Sequence, residues 1–259
     1  MRIDERVLAD LAATTRFGDV RLLPAVDSTN RYVRDAAGAG SPEGLVVAAD
    51  HQTAGRGRVG RSWDAPAGSG LLVSVLLRPR DLDPGRLHLV TAAVGLSAVA
   101  GLRRVAGVRA DLKWPNDLLV GERKLAGILA EASDVTATGV GAVVVGVGIN
   151  VSAAPPGAIH AEEAAGRPVE RGALLVALLR ELDDRYGAWD DVADEYRRSC
   201  STVGRRVRIE GPAGVFRVGT ATGLDGSGRL LVAEEATGVE VALSVGDVVH
   251  VRPAGGGAP

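Results

Sequence analysis

The segment from Ala142 to Val147, Ala-Val-Val-Val-Gly-Val, is apolar at every position apart from its glycine. A run this short and this rich in β-branched residues reads as a strand. Because no polar residue alternates with the apolar ones, it must lie centrally in a sheet covered on at least one face. The chain supplies neighbours for it. Leu45 to Ala49, Leu71 to Leu77 and Ile128 to Ala132 read as further strands, and Val108 to Trp114 and Leu118 to Val120 as two more around a turn. Covers for the sheet come from segments with helical spacing. Met1 to Thr15 places Val7, Leu8 and Leu11 on one side, and Asn30 to Ala37 is a second short helix. Arg86 to Val99 repeats Leu87, Val90, Ala93, Val94 and Ser97, while Arg171 to Tyr196 repeats Leu174, Leu178 and Leu182 with Leu175 and Leu179 widening the stripe.

The pattern changes after Val203. Short strands are expected at Val207 to Ile209, Phe216 to Thr222, Leu230 to Ala233, Val239 to Leu243 and Val248 to Val251, with Asp225-Gly226-Ser227-Gly228 as a hairpin loop. Strands so short and so closely spaced indicate a barrel of SH3-like size over residues 204–253. The boundaries expected are thus 1–203 for a larger domain, 204–253 for the barrel and 254–259 for a disordered tail. With 259 residues and 46% hydrophobic content the chain can bury one substantial core beside a small second one.

Charge and cysteine content exclude several function classes. The net charge of -2 leaves no strong positive field for nucleic acid, so any basic patch must be local. A single cysteine, Cys200, rules out a disulfide framework or a cysteine-rich metal site, and reads as a half-buried spectator thiol. Met1 to Asp10 has no apolar signal region, and no uninterrupted apolar stretch reaches the roughly 18 residues of a membrane span. A cytoplasmic protein with no membrane partner is expected.

Four segments carry chemistry. His51 to Trp63 holds three glycines and three arginines, Gly55-Arg56-Gly57-Arg58-Val59-Gly60-Arg61, directly after a strand. The glycines let backbone approach a ligand, and the forked arginines suit phosphate or carboxylate oxygens. The spacing is neither the dinucleotide fingerprint nor a Walker loop; on composition alone a mobile surface loop explains it equally well. Lys113-Trp114-Pro115-Asn116-Asp117 turns at a strand end and presents Lys113 and Asp117 at the rim. Lys124 opens the next strand, where a solvated flank is the plain alternative. Asp27-Ser28-Thr29-Asn30 precedes a helix, and an ordinary N-cap accounts for it, although Arg31 stands where a capping box would need Glu. Gly146-Val147-Gly148-Ile149-Asn150 is a strand end of small residues, with Asn150 placed either to read a base edge or to end the strand.

In this order the segments closely resemble the biotin–protein ligase family, from about Asp27 to Asn150, and the C-terminal barrel agrees with it. The resemblance implies an α/β (α+β) catalytic domain related to class II aminoacyl-tRNA synthetases and lipoate ligases, with a mixed sheet packed by helices and an SH3-like C-terminal barrel. It implies the shorter form without a DNA-binding repressor module, since the residues before Asp27 leave no room for a helix-turn-helix. The implied enzyme forms biotinyl-5′-AMP from biotin and MgATP, then transfers biotin to a lysine of a biotin carboxyl carrier domain. By resemblance, Ser28, Thr29, Asn30 and Gln52 recognise biotin, and Arg56, Gly57 and Arg58 belong to a loop closing over biotin and the adenylate. Lys124 then lies beside the biotin carboxylate and α-phosphate, and Arg58 holds the mixed anhydride. Arg61, Trp63, Lys113, Asn116, Asp117 and Asn150 are placed around the adenylate, with Trp63 under the closed loop near the adenine. No protein metal cage is expected: Mg²⁺ arrives with ATP, near Asp117. No DNA partner is implied, and a monomer is preferred. Two rival readings are a lipoate or octanoate transferase and a non-enzymatic nucleic-acid-binding module; the latter is disfavoured because Phe216 is the barrel's only aromatic.

Overall fold

The central strand expected from Ala142 to Val147 is the middle of β7 (Val140–Asn150), in a computed structural model that describes residues 1–136, 139–210, 216–244 and 247–250. Its neighbours are β3 (Gly70–Leu77) on one side and β6 (Arg123–Val135) on the other, both antiparallel. Beyond β3 lie β2 (Leu45–Ala49) and β1 (Asp19–Leu23), and beyond β6 lie β5 (Asp117–Val120) and β4 (Asp111–Lys113). The order is β1-β2-β3-β7-β6-β5-β4, with β1 and β2 parallel and the other pairs antiparallel, so the sheet is mixed.

Both faces of this sheet are covered, and the side-chain alternation of its strands sorts residues between two cores. Val46, Ala48, Val143, Val145 and Val147 join the larger core beneath α3 (His88–Ala106) and α5 (Arg171–Arg185). Leu45, Val47, Ala142 and Val144 point the other way and pack with Val33 of α2 (Thr29–Gly38). Gly146 and Gly148 continue that second face beyond the end of α2's apolar contact, which leaves a depression over the sheet. α3 is long and apolar enough to cross a membrane by length and composition, yet most of it is buried as the core helix against the sheet and α5. It stops at Gly107, whose φ of 69° no β-carbon residue adopts cheaply.

Several elements differ from expectation for local reasons. The strand β1 was not expected: Asp-Val-Arg-Leu-Leu is an edge strand with charges on its exposed side. The long helix expected from Arg171 to Tyr196 is broken at Tyr186-Gly187-Ala188, where Gly187 has φ 96°, so α6 (Trp189–Ser199) is separate. Only Asp111–Lys113 of the expected strand from Val108 pairs, and the expected Ile128 to Ala132 strand extends over all of β6. α1 (Glu5–Thr14) is capped by Asp4, and the short α4 (Ala161–Ala165) was not legible in the periodicity. Cys200 is buried rather than half-buried, against α6 and β4, and burial pushes its thiol pKa up.

The C-terminal strands form a separate antiparallel sheet: β8 (Arg206–Glu210), β9 (Phe216–Leu224), β10 (Leu230–Glu234), β11 (Glu240–Leu243) and β12 (Asp247–His250), in the order β11-β10-β9-β8-β12. Val251 and the expected tail, 254–259, lie outside the described residues. This sheet is joined to the larger one through a tryptophan. Trp114 is fully buried; its backbone N–H donates to Thr202 Oγ1 (3.0 Å) and its indole Nε1–H to the Gly228 carbonyl (3.0 Å) in the Asp225–Gly228 turn.

Candidate active site

The depression over Gly146 and Gly148 is a cavity of about 290 Å³. Its floor is made by glycines because larger residues would fill it. A Cβ at Gly148 would meet Trp63 Cε2 at 2.4 Å, and one at Gly146 would meet Asn30 Oδ1 at 2.2 Å. Gly127 on β6 likewise lies under Trp63 and beside Lys124. These three glycines therefore admit one aromatic ring and one amide directly onto the sheet.

One end of the cavity is a network of uncharged polar groups. Ser28 caps α2, its hydroxyl accepting from Arg31 N–H at 3.5 Å, which fixes the first turn. In that turn Thr29 donates to Gln52 Oε1 from both its backbone N–H (2.8 Å) and its hydroxyl (2.9 Å). Ser74, a single polar residue inside the otherwise apolar β3, lies 2.7 Å from Thr29 Oγ1 and 2.6 Å from Asn30 Oδ1. Asn30 in turn donates from Nδ2 to the Leu129 carbonyl (3.2 Å) and to Glu131 Oε2 (2.9 Å). Ser28, Thr29, Asn30 and Ser74 are all buried, so their orientations are set by these mutual hydrogen bonds.

The other end is cationic. Arg56, Arg58, Arg61, Lys113 and Lys124 line the cavity against two carboxylates, Asp117 and Glu210. In a chain of net charge -2 this surplus is local, and it suits an anion. Lys124 Nζ pairs with Asp117 Oδ1 at 2.6 Å and stands 5.6 Å from the Trp63 ring centroid. Arg58, in a single 3₁₀ turn spanning Arg58–Gly60, donates from Nη1 to Asn116 Oδ1 at 3.0 Å. Asn116 is itself held by donating Nδ2 to the Ile128 carbonyl at 2.8 Å. Burial pushes the pKa of both Arg58 and Lys113 down, with Asp117 pulling each back up. Two cations held partly out of water are a wall poised to be relieved by an anionic ligand.

The Gly-Arg loop is folded over this cavity. Gly55 faces the Trp63 carbonyl, where a Cβ would come within 2.2 Å, and Arg56 bridges to Ser62 across the loop's neck. Gly57, too, lines the cavity. Trp63 Nε1 is buried with no hydrogen-bond partner among the described residues. The structure thus gathers all the expected positions except one. Asn150 is buried at the end of β7 and directs its amide to the Ile159 and Lys124 carbonyls (3.2 and 3.5 Å), away from the cavity lining. Of the two readings left open for it, ending the strand is the one its contacts match.

Sequence reasoning missed Ser74, Glu131 and Glu210. The signal for Ser74 was one hydroxyl in a strand of eight residues buried throughout. Glu131 closes the Lys-Leu-Ala-Gly-Ile-Leu-Ala-Glu run, on the same face as Gly127 and Leu129 by strand alternation. Glu210 comes from β8, so only the packing of the C-terminal sheet brings it near.

A mixed sheet covered on both faces, with an arginine loop folded over a lysine–aspartate pair, is the setting of the site, and the family match places it in the biotin and lipoate ligase class. Residues 22–150 match the Biotin/lipoate A/B protein ligase family, and residues 202–251 match the Biotin protein ligase C terminal domain. The biotin–[acetyl-CoA-carboxylase] ligase of Mycobacterium tuberculosis is 38% identical over 96% of this chain and 96% of its own length. The bifunctional ligase/repressor BirA of Escherichia coli is 34% identical over 84% of this chain and 70% of its own. Among solved structures, the biotin protein ligase of Aquifex aeolicus in complex with biotin and ATP superposes with a TM-score of 0.78 at 26% identity, covering 91% of this chain and all of that one. The chain belongs to the biotin protein ligase family.

Proposed function

We propose that this protein joins biotin to a biotin carboxyl carrier domain in two steps at the cavity described above. In the first, a biotin carboxylate oxygen attacks the α-phosphorus of ATP, pyrophosphate leaves, and biotinyl-5′-AMP remains. In the second, a lysine amine of the carrier attacks the acyl carbon, gives up a proton, and AMP leaves with the electrons of the broken anhydride bond. The observation that carries this reading is the division of one cavity into a buried uncharged network and a cationic wall. The ureido ring of biotin needs fixed donors and acceptors, supplied by Ser28, Thr29, Asn30 and Gln52, while its carboxylate needs cations.

Lys124 is the group we assign beside the biotin carboxylate and α-phosphate. Its positive charge offsets the repulsion between two anions approaching each other. Asp117 Oδ1 lies 2.6 Å from that ammonium and holds it at the cationic end of the cavity. Arg58, fixed by Asn116, is assigned to the mixed anhydride; Arg56, Gly57 and Arg61 to the enclosing loop; and Trp63 and Lys113 to the adenylate. Among the described residues no group of three or more His, Cys, Asp or Glu is placed to hold a metal. Mg²⁺ is assigned to ATP itself, near Asp117, where it would neutralise phosphate oxygens.

The test is transfer of radiolabelled biotin to a carrier-domain fragment with and without ATP. Labelled acceptor only in the presence of ATP supports the reading, and label appearing without ATP, or none at all, ends it. A thermal shift with biotin against lipoate separates the nearest rival, since a ligand bound by the native state raises its melting temperature. A shift with lipoate alone would reassign the substrate.

A further inference from the structure

We propose that Glu131 is a positioning residue that latches the Gly-Arg loop to the substrate pocket, so that loop closure and the orientation of Asn30 are set together. This rests on the reading of the pocket given above. Each oxygen of the Glu131 carboxylate has its own task. Oε2 accepts from Asn30 Nδ2 at 2.9 Å, and Oε1 accepts from Arg56 Nη1 at 2.9 Å, with Arg34 Nη1 at 3.7 Å from the same oxygen. One carboxylate thereby joins a residue of α2, a residue of β6 and a residue of the loop.

The geometry is directional. Asn30 has its amide committed on both sides, Oδ1 to Ser74 and Nδ2 to Glu131 and the Leu129 carbonyl, so rotating it would break every one of these bonds. A Cβ at Gly146 would fall 2.2 Å from Asn30 Oδ1, so it is the glycine that lets Asn30 lie this close to the sheet. Arg56 opens the loop, four residues after Gln52 and two before Arg58. Fixing Arg56 therefore sets the direction in which the following Gly57 and Arg58 leave the Arg56–Ser62 bridge at the loop's neck. The Glu131 side chain is 23% exposed and that of Arg56 is 44%, so the pair is shielded from solvent on the carboxylate side and reachable on the other. A latch of that kind holds the loop's root down and leaves its tip free to open. Hydrogen bonds to a charged partner are the stronger kind, so removing one is measurable.

Glu131→Gln keeps the size of the side chain, but it removes the charge that pairs with Arg56 in either amide orientation and leaves one acceptor oxygen for two donors. In the ligand-free variant, trypsin should cut after Arg56, Arg58 and Arg61 about tenfold faster than in the natural protein, with cleavage elsewhere unchanged. Biotin binding should weaken about tenfold while the KM for ATP stays within about twofold. Adding Arg56→Ala to Glu131→Gln should weaken biotin binding far less than Arg56→Ala does alone. Unchanged loop cleavage overturns the latch, as do fully additive effects of the two substitutions. Faster cleavage with unchanged biotin affinity overturns the coupling to Asn30. Should the natural protein bind no biotin at all, the pocket reading fails, and loop cleavage still decides the latch by itself.

Discussion

At the scale of single residues, the cavity works because charge and space are both rationed. Lys124 is held at the cationic end of the cavity by one carboxylate, Asp117, at 2.6 Å. Lys124→Ala is expected to remove most biotin adenylation, about a hundredfold or more, given that losing one positioned hydrogen-bond donor at a developing anion costs about 2.7–4 kcal/mol. Biotin-dependent exchange of pyrophosphate into ATP measures it, and exchange near the natural rate would remove Lys124 from the reaction. Arg58→Ala leaves the pocket intact but takes away the group assigned to the anhydride; free biotinyl-AMP should then appear in solution at several times the natural rate. Equal release from both proteins would count against that role. Gly148 makes the same point sterically. With a Cβ only 2.4 Å from the Trp63 ring, Gly148→Ala should expel the indole toward water and red-shift its fluorescence, while melting stays nearly constant because the ring sits on a loop. An unshifted spectrum with natural turnover would show that Trp63 does not rest there.

At the scale of elements, the site was legible where chemistry was concentrated in short motifs and illegible where it depended on pairing. The Ser-Thr-Asn turn, the arginine loop and the Lys-Trp-Pro-Asn-Asp turn each announce themselves by residue type, and the cavity gathers them. What the local pattern did not carry was which strands adjoin. β1 pairs parallel with β2, the product of a connection through α2 that periodicity does not encode. Asn150 was left between two readings for a related reason: a strand's last residue looks identical in sequence whether its amide faces a ligand or the Ile159 carbonyl. Conversely Ser74 and Glu131 are polar residues whose purpose appears only once α2 is laid across β3, β7 and β6. The start of α3 adds a pH-dependent element. Burial, then the nearby Arg58 charge, hold His88 below its ordinary pKa of 6.5, with Asp225 opposing and Arg229 assisting. The folded protein therefore favours neutral His88, and the stability this lends is complete above about pH 6.5 and declines as pH falls through the lower folded value. His88→Gln should flatten the fall in melting temperature between pH 7 and 5; an unchanged slope would assign that fall to other groups.

At the scale of the whole molecule, the C-terminal sheet is tied to the turn that furnishes Asn116 and Asp117. Trp114 precedes that turn, and its side chain and backbone both hydrogen-bond across the junction, to the Gly228 carbonyl and to Thr202. Arg86 reaches the same loop, its Nε donating to the Gly226 carbonyl at 3.2 Å, and Arg197 Nε donates to the Leu224 carbonyl at 3.1 Å. Glu210 meanwhile brings a carboxylate from β8 to the cavity rim. A sheet merely appended to the catalytic part would affect stability alone; a sheet that sets the angle of the Trp114 turn would also affect the nucleotide. Trp114→Phe distinguishes these. It keeps an aromatic ring in the core but deletes the indole N–H and leaves the Gly228 carbonyl without that donor, a loss of about 1–3 kcal/mol. At roughly 2–4 °C per kcal/mol for a chain of this size, melting should fall by several degrees. The decisive measurement is the KM for ATP at a temperature where the variant is folded. A rise of several-fold with the biotin affinity unchanged is expected, because Asn116 and Asp117 bear on the cationic end of the cavity and not on the Thr29–Gln52 network. A fall in melting temperature with an unchanged ATP KM would reduce the C-terminal sheet to a stabilising attachment.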